Sequence, residues 1–89
     1  MEDKFYLILE KRLFCEHNKK AYEFINGKWV EADWREIHDR LMGYDPTESD
    51  PMYGIGNTDI MAEIKKTTKE EVIEKYGEET INKLNNIYN

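Results

Sequence analysis

Two short runs of strand-forming residues, Ala21 to Ile25 and Lys28 to Glu31, are separated by nothing but Asn26-Gly27. Both of these residues accept the positive φ that a type I′ turn requires, and that turn's twist matches the strands it joins. The chain must therefore carry an antiparallel hairpin here, with Tyr22, Phe24 and Trp29 supplying cross-strand aromatic pairs. Any fold for this sequence has to be built around a sheet.

The flanking segments extend that sheet. Lys4 to Phe14 reads as one strand, with Phe5, Leu7 and Leu9 on one face and Tyr6 and Ile8 on the other. Apolar residues on both faces mark an interior strand covered from two sides. Glu16 to Lys20 is a polar break. After the hairpin, Asp33 with Glu36 makes a capping box, and Trp34, Ile37, His38 and Leu41 fall on one helical stripe that Gly43 ends. Ile60, Ala62 and Ile64 alternate with polar neighbours, so Thr58 to Ile64 is expected to form a fourth strand. Thr68 with Glu71 opens a helix containing Val72, Ile73 and Tyr76. Glu79 to Tyr88 continues past Gly77 as a second helix, or as the end of one bent helix.

The order β-β-β-α-loop-β-α(-α) implies an α+β domain spanning residues 1–89. The expected sheet is small, twisted and mainly antiparallel, with three or four strands in the spatial order 3-2-1-4. Two or three helices pack on one of its faces. A chain of 89 residues is one domain, and it buries roughly 60–65% of the surface it exposes when unfolded.

Charge and cysteine content narrow the function classes. The net charge is −6, and phosphate backbones are bound by Lys and Arg that neutralise them, so direct nucleic-acid binding is not expected. Cys15 is the only cysteine, which excludes an internal disulfide and fits a reducing, cytoplasmic setting. The longest apolar run, Phe5 to Leu9, is too short for a signal core or a membrane span.

Residues 43–57 follow neither a helical nor a strand period. They hold three Gly, two Pro, the acidic Asp45, Glu48 and Asp50, and the apolar Tyr44, Met52, Tyr53 and Ile55. A connection of this length in so small a domain tends to be functional or disordered. Aromatic and Met side chains on such a loop are the kind that anchor protein partners. An EF-hand frame starting at Asp45 puts Asp50 where Gly belongs and Gly56 where the bidentate Glu belongs, so no calcium loop is present. Gly54-Ile55-Gly56 lacks the Lys of a P-loop.

Cys15, His17 and His38 are the residues that could hold a metal or form a nucleophile pair. They lack the paired spacings of zinc sites, and no third group is evident to orient a Cys-His pair. The leading expectation is thus a small, acidic, non-enzymatic protein-binding module that uses no cofactor or metal. It would be an inhibitor, an immunity-type antagonist or an adaptor, of the size and charge that phages and mobile elements encode. The competing expectation is a small-ligand or metal-binding domain, or an enzyme, built on Cys15, His17 and His38. Self-association into a homo-oligomer through a sheet edge is a third.

Overall fold

The computed structural model describes residues 3–50, 52 and 54–87. Among these, the chain forms a five-stranded antiparallel sheet and four helices. In chain order these are β1 (Lys4–Ile8), β2 (Arg12–His17), β3 (Lys20–Ile25), β4 (Lys28–Ala32), α1 (Arg35–Met42), α2 (Thr58–Met61), β5 (Ile64–Thr67), α3 (Lys69–Tyr76) and α4 (Glu78–Asn85). The spatial order is β4-β3-β2-β1-β5. The α+β class holds, with more strands than the three or four expected.

The extra strand arises because Lys4 to Phe14 is not one strand. Leu9 and Glu10 both adopt left-handed conformations, with φ of 54° and 56°, and turn β1 back onto β2. Neither is a turn-forming residue. The Leu9 amide donates to the Glu63 carbonyl at 2.7 Å, which ties the turn to the segment before β5. The next two hairpins also turn on pairs of positive φ, at Asn18-Lys19 and Asn26-Gly27.

The expected fourth strand is displaced as well. The Asn57 side chain accepts from the amides of Asp59 and Ile60, so Thr58–Met61 starts as a helical turn, and β5 begins only at Ile64. At the C-terminal end, Thr68 accepts from the Glu71 amide as expected, and the chain turns at Gly77 to make two helices. The Glu71 carboxylate, however, takes the Thr67 hydroxyl at 2.7 Å.

Helices lie on both faces of the sheet, not on one. Strand register pairs Phe5 with Cys15 and Leu7 with Leu13 on one face, and Tyr6 with Phe14 on the other. The first face packs against Val72, Ile81 and Leu84 of α3 and α4. The second packs against Ile37 of α1. This is why β1 and β2 are apolar on both sides. Each large side chain wholly buried there contributes about 1.5–3 kcal/mol. The β3–β4 hairpin is fastened to α4 by Trp29, whose indole N–H donates to the Thr80 carbonyl at 2.8 Å, and by Lys83 Nζ, which donates to the Gly27 carbonyl at 2.9 Å.

A left-handed residue other than Gly or Asn costs roughly 1–2 kcal/mol. Replacing Leu9-Glu10 with Asn-Gly should therefore raise the unfolding free energy by about 1–2 kcal/mol in chemical denaturation. A lower midpoint would mean the β1–β2 turn has a different conformation.

Candidate functional site

The chain between β4 and β5 crosses one whole face of the sheet, from one edge strand to the other. Its helix α1 is held at three points. Ile37 is its wholly buried side chain. Glu36 receives Arg12 Nη2 at 3.1 Å, and the same guanidinium grips Glu23 of β3 through two bonds of 2.9 Å while lying 4.9 Å from the centre of the Phe14 ring. The hydrogen bonds to Glu23 are the main reason that Arg12 is held protonated far above any accessible pH. Arg40 reaches Glu63 at 3.2 Å and also donates to the Glu36 carbonyl.

Glu36 is thus drawn to Arg12 and does not complete the expected capping box. Asp33 accepts from the Arg35 amide at 3.0 Å and pairs with its guanidinium. That hydrogen-bonded pair holds the Asp33 carboxyl below the usual aspartate range.

The rest of the apolar arc of α1 faces outward. Trp34 is 54% exposed, and Leu41 and Met42 are also exposed. The half-exposed imidazole of His38 stands edge-on to Trp34, with ring centres 4.6 Å apart.

The loop after α1 is closed at its neck. Asp45 N donates to the Gly54 carbonyl, Gly56 N to Met42 and Asn57 N to Gly43, at 2.7–3.0 Å. Gly43 makes this closure feasible. Its φ is +66°, and a Cβ there would stand 2.5 Å from the Asn57 nitrogen and 2.8 Å from Met61 Cγ. Met42, Tyr44, Ile55 and Met61 are thereby gathered around one backbone crossing.

Among the residues singled out from the sequence, Tyr44 is 44% exposed, Ile55 55% and Met52 85%. Glu48 and Asp50 are exposed and Asp45 half-buried; Tyr53 lies outside the described residues. Asp45 accepts from the Thr47 hydroxyl at 2.6 Å and the Thr47 amide at 2.9 Å, which depress its carboxyl's pKa. Glu48 and Asp50 accept in the same way from the amides of Asp50 and Met52.

The residues that sequence reasoning missed are Leu41, Met42 and Met61, exposed near that loop, and Trp34, exposed at the opposite end of α1. The sequence carried no signal for this, because positions 34, 37, 38, 41 and 42 follow the i, i+3, i+4, i+7, i+8 spacing of an ordinary core-facing stripe.

Cys15, His17 and His38 do not form a centre. Cys15 belongs to the core facing α3 and α4, whereas His38 sits on α1 across the sheet. Burial, reinforced by Asp3 and Glu16, pushes the Cys15 thiol well above its ordinary pKa, the wrong direction for a nucleophile. His17 Nδ1 donates to Asp3 at 2.8 Å, and its Nε2 accepts from the Asn18 side-chain amide at 3.3 Å. Among the described residues, no group of three or more His, Cys, Asp or Glu side chains is placed to hold a metal ion.

A concavity of about 500 Å³ opens by the first turn of α3, where Lys4, Lys66 and Lys69 are mixed with Asp3 and Glu70. The Thr68 and Glu71 side chains beside it already have partners. Among the described residues, no helix is long and apolar enough to cross a membrane. Comparison with known families, characterised proteins and solved structures gave no match.

Gly43→Ala should cost at least about 1–2 kcal/mol, and proteolysis within residues 45–54 should accelerate as the neck opens. Unchanged stability would mean that the crossing is looser than described. Asp45 should titrate below the ordinary aspartate value of about 3.9 when followed by carboxyl NMR. Because the folded value is the lower one, its contribution is present above the unfolded pKa and disappears as pH falls through the folded value. Thr47→Val should move the midpoint upward.

Proposed function

We propose that this chain is a non-enzymatic protein-binding module that docks through the segment between β4 and β5. One observation carries this reading. Ten large apolar side chains are exposed among the described residues, and eight of them lie between Val30 and Met61. Scattered single exposures are ordinary, whereas a concentration on one layer marks an interaction surface. Trp34 and Tyr44 are of the types that dominate binding energy at interfaces, and Met52 is of a type enriched there. The loop residues Asp45, Glu48, Asp50 and Ile55 complete the surface.

Such a module would be an inhibitor, an immunity-type antagonist or an adaptor, acting in the cytoplasm and of the sort that phages or mobile elements encode. The alternative based on Cys15, His17 and His38 is disfavoured by their separation and by the burial of the thiol.

The test separates binding residues from folding residues. Trp34→Ser, Tyr44→Ser and Ile55→Ser should each change stability by no more than about 0.5 kcal/mol, and each should reduce binding to the protein's partner. Ile37→Ala should cost about 2–4 kcal/mol. If Trp34→Ser destabilises the fold as much as Ile37→Ala does, the stripe is part of the core and the reading fails.

A further inference from the structure

The charge of this chain is distributed in a way that says what the partner must look like. Between Lys28 and Lys65 there are nine acidic residues, two Arg and no Lys, a net charge of −7. The remainder of the chain carries ten acidic residues and eleven Lys or Arg, a net of +1. The whole negative excess therefore resides in the segment that also holds eight of the ten exposed large apolar side chains.

The two cations in that segment are already engaged within it. Arg35 is bound by Asp33, and Arg40 by Glu63 and the Glu36 carbonyl. Asp45, Glu48, Asp50 and Asp59 make no ion pair with any described residue. Among the described residues, the first three accept only from backbone amides or the Thr47 hydroxyl. Greasy side chains and uncompensated carboxylates thus share one layer.

Resting on the docking surface proposed above, we infer that its partner is a protein presenting an apolar depression rimmed by Lys and Arg. Lys20 and Arg12, from outside the segment, pair with Glu31 and Glu36, and the five remaining carboxylates, Asp39, Asp45, Glu48, Asp50 and Asp59, oppose phosphate backbones and anionic lipid headgroups alike. The same carboxylates draw in a basic protein face, and opposed fields of this kind accelerate encounter and reject partners of like charge. The apolar stripe then supplies the contacts that hold the complex.

The experiment uses the full chain, labelled with 15N, and three synthetic 16-residue probes. One is an amphipathic helix with Leu and Trp on one face and Lys and Arg on the other. The second keeps the apolar face and replaces Lys and Arg with Glu. The third keeps Lys and Arg and replaces Leu and Trp with Ser. Only the first should bind well, with amide shifts concentrated in residues 34–61. Raising salt from 0.05 to 0.5 M should weaken it by roughly tenfold or more. The variant combining Asp45→Asn, Glu48→Gln, Asp50→Asn and Asp59→Asn keeps each acceptor oxygen while removing charge, and should bind at least about tenfold more weakly.

Equal binding by that variant, or by the Glu-faced probe, overturns the basic partner. If Trp34→Ser still abolishes binding in that case, the docking surface itself stands. Shifts centred on the glutamates of α3 and α4, or no measurable binding of the basic amphipathic probe, overturn the inference. If in addition Trp34→Ser has no effect on recovery of the natural partner, the docking reading falls with it.

Discussion

A single guanidinium determines where the outer layer of this protein lies. Arg12 projects from β2, closes two hydrogen bonds on Glu23 of β3 and reaches across to Glu36 of α1. Glu23 is the most enclosed member of the trio. Its carboxylate is tolerated because the bidentate contact satisfies both oxygens, a geometry that Arg provides and Lys does not. With one wholly buried side chain, α1 has a single hydrophobic anchor, Ile37. The ion pairs orient it, and the outward display of Trp34 and Leu41 follows from that orientation.

The two faces of the sheet are consequently unlike. Against α3 and α4 the core is a continuous apolar cluster reinforced by the aromatic contacts of Trp29 with Phe5 and Phe24. Against α1 the buried cluster is smaller, and charged side chains border it. Both faces bury large side chains, Phe14, Ile8 and Ile37 among them on the α1 side, while the layer over that side also leaves apolar groups in water.

Elements with a strong local cause were legible in the sequence. Asn26-Gly27 has few conformational alternatives, and Thr68 caps α3 as its spacing implies. The β1–β2 turn was not legible, because Leu9 and Glu10 take up left-handed backbone only under tertiary restraint from Glu63. The segment from Thr58 alternated like a strand, yet the Asn57 side chain captured two amides and turned it into a helix. The double-sided hydrophobicity of Phe5 to Ile8 implies cover on both faces of the sheet, which is at odds with helices confined to one. For the candidate surface, composition marks out Tyr44, Met52 and Ile55, whereas the stripe on α1 has the spacing of a core-facing helix. Periodicity shows which side chains align but not whether that side meets the sheet or solvent.

The pinned neck of the loop after α1 has an evolutionary consequence. Its ends are fixed to each other by backbone hydrogen bonds at Met42, Gly43 and Asp45, so the number and identity of residues between Asp45 and Gly54 are uncoupled from the register of the sheet. Lengthening a flexible loop raises its closure cost only slowly, by about 0.6 kcal/mol per doubling. Insertions, deletions and wholesale replacement can therefore accumulate there while the scaffold stays intact. A lineage carrying this fold could rewrite the eight residues between Asp45 and Gly54 without disturbing the sheet.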